Sequence, residues 1–154
     1  MVRNRSTVKL TPGLFLQPYI LDQLVGGLMQ RIVGPSAVTG SEFAVTSCLD
    51  STGPATPSAL ADLLGVSATT LSATIDRLVR KGQLRRAPNP DDGRSYLIEL
   101  TEDGHATNRE NFARFAVEMK AVRANLEGDA DEVLAAMRVL EDALRKTLAE
   151  PRPA

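Results

Sequence analysis

A mainly α-helical chain with one small β-ribbon is the fold class this sequence predicts, on three observations. Residues 56–82 read as two short helices joined by a glycine turn. Residues 84–100 read as two short strands around the turn residues Asn89, Pro90, Asp91, Asp92 and Gly93. The segments on either side carry apolar residues at helical spacing. Two helices followed by a ribbon make a winged helix-turn-helix, here with a helical dimerisation region around it (α+β).

The first helix is predicted from about Pro18 to Val33, on Ile20, Leu21, Leu24, Val25, Leu28 and Ile32. Gly26-Gly27 within it lacks the rest of any phosphate-loop motif and is expected to permit close helix approach. Thr39 and Glu42 form a T-x-x-E capping box for a second helix through Leu49.

Thr56 followed by Pro57 starts the third helix, because Pro suits a position whose N–H has no helical partner. Leu60, Ala61, Leu63 and Leu64 share one side of it, and Gly65 ends it in a left-handed conformation. Ser67 caps a fourth helix to about Lys81, with Leu71, Ile75, Leu78 and Val79 as its buried stripe. Its opposite face carries Thr69, Thr70, Ser72, Thr74 and Arg77. In a helix-turn-helix this second helix enters the major groove of DNA, where hydroxyls reach base edges, phosphates or the thymine methyl. Its first two turns hold no Arg, Lys, Asn or Gln, the side chains that most often read bases in bidentate fashion.

Gly82 stops that helix, Leu84 to Ala87 make the outgoing strand, and Ser95 to Leu100 the return. From Arg77 to Arg94 six basic residues (Arg77, Arg80, Lys81, Arg85, Arg86 and Arg94) face only Asp91 and Asp92. A locally positive ribbon tip on a chain of net charge −1 is an electrostatic footprint for phosphate.

Thr101 caps a long helix to about Glu127, roughly 40 Å at the helical rise. Phe112, Phe115, Met119, Val122 and Leu126 alternate at three- and four-residue spacing, a seam for another helix. Gly128 ends it. Asp129 with Glu132 caps the last helix, whose seam is Val133, Met137, Leu140, Leu144 and Leu148. A partner chain is the simplest cover for both seams.

The chain resembles the MarR family of bacterial transcriptional regulators over roughly residues 18–148. The residues that carry the resemblance are Arg80-Lys81-Gly82, Leu84-Arg85-Arg86, Asp91-Asp92-Gly93-Arg94-Ser95 and Leu100-Thr101-Glu102-Asp103-Gly104. The D-x-R element of that family's wing falls on Asp92 and Arg94, a spacing at which the carboxylate can hold the guanidinium in one rotamer. The resemblance implies an obligate homodimer on double-stranded DNA, binding a near-palindromic operator as a repressor released by a small ligand or by oxidation. The expected DNA-binding residues are Ser67, Thr69, Thr70, Ser72, Thr74, Arg77, Arg86, Asp92 and Arg94. The implied ligand cleft lies between the dimer helices and the winged lobe. Tyr19, Gln23 and His105 are its expected lining, for a small aromatic ligand. Residues 39–100 would then be the winged lobe, and 12–36 and 101–149 the dimerisation helices, of a single domain over 1–154.

Composition bounds these readings. The 154 residues are 43% hydrophobic and 24% charged, ordinary for a globular domain. Arg3, Arg5 and Lys9 precede no apolar core with a cleavage site, and no apolar run has the length of a membrane span. One cysteine, Cys48, allows no internal disulfide and suits a reducing cytoplasm. With His105 as the sole histidine there is no material for a catalytic triad or a metal cluster, and no enzyme, metal or cofactor is expected. Two competing readings stand beside the repressor: a winged-helix protein-interaction module without DNA binding, and a repressor that answers to oxidation of Cys48.

Overall fold

The computed structural model describes residues 13–14, 16–33 and 38–150. Pro151 to Ala154 lie outside the described residues, as do Arg3, Arg5 and Lys9. The element order is α1 (Leu16–Val33), α2 (Gly40–Thr52), α3 (Pro57–Leu64), α4 (Ala68–Arg80), β1 (Leu84–Pro88), β2 (Tyr96–Leu100), α5 (Glu102–Asn125) and α6 (Ala130–Ala149). The predicted fold class, mainly helical with one small antiparallel ribbon, is the one observed. By its internal contacts the chain forms two compact units, residues 1–115 and 116–154.

In the first unit the helix ends follow their local chemistry. Thr39 Oγ1 accepts from Glu42 N–H at 3.3 Å, and Glu42 Oε2 accepts from Thr39 N–H at 2.7 Å, so the capping box closes. Thr56 and Ser67 accept from Ala59 N–H and Thr70 N–H. Gly65 ends α3 at φ 65°, where a Cβ would crowd the backbone.

The core joins α2, α3, α4 and the ribbon through Val45, Leu49, Leu60, Leu71, Ile75, Leu78, Leu84, Ile98 and Leu100. Each fully buried aliphatic side chain contributes roughly 1.5–3 kcal/mol, so this cluster is what fixes α4 against the lobe. Leu63, expected on the buried side of α3, is instead 56% exposed. An eight-residue helix can bury only a narrow stripe, and Leu60, Ala61 and the half-buried Leu64 fill it.

β1 pairs with β2 from Leu84↔Leu100 to Pro88↔Tyr96. The return strand starts at Tyr96 rather than Ser95, because Ser95 N–H is donated into the turn, to Asp92 O at 3.0 Å. An isolated bridge adds Ala55 to the sheet through two bonds with Ile98, at 2.8 and 3.1 Å. The base of the wing is thereby tied to the start of α3.

α5 springs from the wing base. Thr101 Oγ1 accepts from Gly104 N–H at 3.0 Å and donates to Gly82 O at 2.6 Å. Gly104 lies so close to the Gln83 carbonyl that a Cβ there would clash with it and stand 2.9 Å from Leu100 Cδ2. By contrast, a Cβ at Gly26 or Gly27 would meet nothing within 4 Å, so the close approach expected there does not occur within one chain. A second cluster holds Ile32, Val33, Val38 and Phe43, with Phe115 packed against it. The Phe43 and Phe115 rings are 5.8 Å apart, so half-buried Phe115 packs on this cluster of its own chain. Buried Asn108 accepts from Thr46 and Ser47 hydroxyls of α2, at 3.0 and 3.1 Å.

In the second unit α6 buries none of its residues. Val133, Met137, Leu144 and Leu148 are exposed in the single chain, and Leu140 is half-buried. Its N-cap, Asp129, accepts from Asp131 N–H at 2.8 Å, taking the nearest orphan donor instead of forming the expected box with Glu132.

Candidate nucleic-acid interface

The α3–α4 pair presents the first turn of α4 to solvent. Ser67, Thr69, Thr70 and Ser72 are exposed. Ser67 Oγ and Thr70 Oγ1 are 2.9 Å apart, so those two hydroxyls hold one another as well as the cap. Thr74 does not join this face. It is 3% exposed, with its hydroxyl donating to Thr70 O at 3.1 Å. Its position follows from helical spacing: residues 71, 74, 75 and 78 form a single stripe, and that stripe packs inward.

Arg77 reaches back into the lobe. Its Nη2 donates to Thr74 Oγ1 at 3.0 Å and its Nε to Glu42 Oε1 at 3.3 Å. Lys81 Nζ donates to the other Glu42 oxygen at 2.8 Å. Burial by itself pushes the Glu42 carboxyl up, but the bonds from Lys81, Thr39 N–H and Arg77 outweigh it and hold the group below its ordinary range. Arg85 is paired with Glu99 across the ribbon at 2.6 Å. Arg86 is paired with Asp76 of α4 at 2.5 Å and lies over the Tyr96 ring. The Asp76 carboxylate, and then Tyr96, raise the Arg86 pKa above its ordinary value. Arg80 donates to Asp76 O at 3.3 Å. The positive segment seen in the sequence is therefore largely neutralised by Glu42, Asp76 and Glu99. These three carboxylates were missed because they sit outside the segment or across the ribbon from it.

Arg94, at the wing tip, is exposed and has no ion-pair partner among the described residues. Asp92 does not clamp its guanidinium, as the D-x-R spacing suggests. Asp92 Oδ1 accepts from the Arg94 backbone N–H at 3.0 Å. Local side-chain-to-backbone bonds of this kind are short-range and compete well with a long flexible guanidinium. Asn89 adds two further bonds, from Asp91 N–H at 3.1 Å and to Ser95 Oγ at 2.8 Å. The turn is thus braced at its backbone while the Arg94 side chain points free.

The expected ligand residues stand apart from this face. Tyr19 is 59% exposed on α1, and Gln23 donates to its neighbour Asp22 at 3.1 Å. His105 Nδ1 lies 2.8 Å from Asp50 Oδ1, joining α5 to α2. Among the described residues no hydrogen bond or ring contact links these three. A cavity of about 590 Å³ does lie along α1, but Asp22, Val25, Gly26, Met29 and the start of α2 line it rather than Tyr19 or Gln23. Cys48 is half-buried against the main core. Among the described residues no group of three or more His, Cys, Asp or Glu could hold a metal ion, and no single helix is long and apolar enough to cross a membrane.

A glycine-turned helix pair, a ribbon bridged to its base and a cationic tip define a winged helix-turn-helix protein. A family model described as MarR family matches residues 38–96. Multiple antibiotic resistance protein MarR of Salmonella typhimurium is 35% identical over 88 residues, 57% of this chain and 61% of that protein. HTH-type transcriptional regulator PecS of Dickeya dadantii is 30% identical over 86 residues, 54% of this chain and 52% of that protein. The chain thus spans about three fifths or less of these curated relatives' length. Among solved structures, the reduced form of MarR from E. coli is 30% identical with TM-score 0.64, covering 83% of this chain and 93% of that one. A mutant MarR from E. coli complexed with operator DNA is 29% identical with TM-score 0.71, covering 83% and 91%. The chain belongs to the MarR family.

Proposed function

We propose that this protein is a homodimeric, sequence-specific DNA-binding transcriptional regulator that acts as a repressor on a near-palindromic operator. The observation that carries the reading is the pairing of two exposed elements: the hydroxyl-lined first turn of α4 and Arg94 at the end of a braced wing. In the winged helix-turn-helix geometry the helix enters the major groove and the ribbon tip reaches the flanking backbone or minor groove. Similar proteins support it. A mutant MarR from E. coli has been solved with operator DNA, and another similar structure is named multiple antibiotic resistance repressor, MarR. On this reading Ser67, Thr69, Thr70 and Ser72 face the groove, Arg94 and Asp92 form the wing contact, and Arg77, Arg86 and Thr74 support α4 from behind.

Dimerisation through residues 12–36 and 101–149 is supported by the exposed apolar side chains of α6 and α1. Recognition helices in such a dimer stand about 34 Å apart, one turn of DNA. Release by a small aromatic ligand is the finer part of the reading. The cavity along α1 is within the usual size of small-molecule sites, roughly 300–1,000 Å³.

The competing interaction-module reading is favoured by one observation, the internal pairing of most cations near α4. Fluorescence polarisation with random duplexes and with duplexes from the upstream region, at two salt concentrations, separates the two. The regulator binds upstream DNA more tightly than random DNA, and both weaken with salt. Absence of binding to any duplex at low salt leaves the interaction module.

A further inference from the structure

We infer that Glu42 is a positioning residue that limits the non-specific DNA affinity of this protein, by holding Arg77 and Lys81 against the lobe and away from phosphate. The inference rests on the DNA-binding reading above.

Glu42 is 0% exposed, and both its carboxylate oxygens are engaged. Oε1 takes Arg77 Nε at 3.3 Å, while Oε2 takes Lys81 Nζ at 2.8 Å and Thr39 N–H at 2.7 Å. The capping role explains only the Thr39 bond. A neutral Gln at the same position of a capping box makes it equally well. Burying a charge instead of an amide is costly unless it is matched, and the matching charges are those of Arg77 and Lys81. Those two side chains are not themselves buried. They remain 40% and 31% exposed, and with Arg80 they line an open surface pocket of about 250 Å³ at the end of α4. A phosphate arriving there meets two cations whose charge is already offset by a carboxylate.

Sequence-independent affinity follows the number of cations that displace counterions from phosphate, whereas base discrimination comes from groove contacts. The hydroxyls of the first α4 turn lie at the other end of that helix from Lys81. Holding Arg77 and Lys81 therefore lowers the background term without touching the groove-facing turn.

The test is the salt dependence of binding to a random-sequence duplex, for the native chain and for Glu42→Gln. Gln keeps the cap and takes the carboxylate charge away from both cations. The plot of log affinity against log salt is expected to steepen by roughly 1–2 in slope, with affinity several-fold higher at low salt. A folded Glu42→Gln dimer with an unchanged or shallower slope overturns the inference. Lys81→Met in the native background tests it without disturbing the cap. It is expected to reduce the slope by clearly less than the roughly 0.9 of a full phosphate contact, and a full loss overturns the inference. The same Lys81→Met change added to Glu42→Gln is expected to remove a full contact. A native chain that binds no duplex at low salt removes the DNA-binding reading and this inference with it. Native binding with an unaltered Glu42→Gln slope removes this inference alone.

Discussion

The Asp92 carboxylate accepts a hydrogen bond from the backbone N–H of Arg94 at 3.0 Å, two residues along the wing turn. The bond shapes the turn rather than the guanidinium, so the aspartate and the arginine have separable roles. Arg94→Ala is expected to weaken operator binding by about 1–3 kcal/mol if the side chain reads a base, or to flatten the salt slope if it meets phosphate. Thermal unfolding should be unchanged, because the side chain is exposed. Asp92→Ala is expected to cost less affinity, and to loosen the wing turn, visible as faster amide exchange at Arg94 and Ser95. Unaltered DNA affinity in folded Arg94→Ala removes the wing from the mechanism.

Gly104 has no room for a side chain. A Cβ would press into the Gln83 carbonyl and the Leu100 side chain, where α5 leaves the wing. Gly104→Ala is expected to destabilise the fold by about 1–3 kcal/mol, the usual range for overpacking. Urea denaturation measures it. A stability equal to the native chain shows that α5 can shift at its root without cost.

Glu42 makes stability depend on pH in a defined direction. Its folded-state pKa lies below the ordinary value of 4.5, so the carboxylate binds protons more readily in the unfolded chain. Its contribution is full above the unfolded value and is lost as pH falls through the folded one. Urea midpoints taken from about pH 6 down to about pH 3 should fall more steeply for the native chain than for Glu42→Gln. Removing the charge should cost about 1–3 kcal/mol at neutral pH, since Arg77 and Lys81 are partly solvated and recover some of the loss in water. Parallel pH profiles for the two proteins contradict this account.

α6 exposes Val133, Met137, Leu144 and Leu148 in the single chain. An obligate dimer that covers them should bury more than about 2,000 Å². Light scattering at micromolar concentration should report a dimer for the native chain. Leu144→Glu should give monomer, aggregate or unfolded chain. A native protein that is monomeric and well folded removes the dimer proposal.

Whatever depends on near neighbours can be read from the order of residues. The capping box of Thr39 and Glu42, the Thr56-Pro57 start, the Ser67 cap and the left-handed Gly65 are each set by chemistry within a few residues. That is why the helix-turn-helix, the ribbon and the family were legible in the order of residues. Which polar groups are engaged depends on contacts between distant segments. Thr74 looked like a groove-facing hydroxyl, but the stripe it shares with Leu71 and Ile75 turns it inward. Arg77 and Lys81 looked like unpaired cations, yet they meet Glu42 across 35 and 39 residues. Phe115 lies on the predicted seam and also packs on Phe43 of its own chain. Asn108 finds Thr46 across 62 residues, and Gly104 is required by the Gln83 carbonyl in the turn between α4 and β1. The reason is the same in each case. A local pattern fixes which face a residue occupies, while the partner on that face is brought there by folding of distant segments and leaves no periodic trace in the chain.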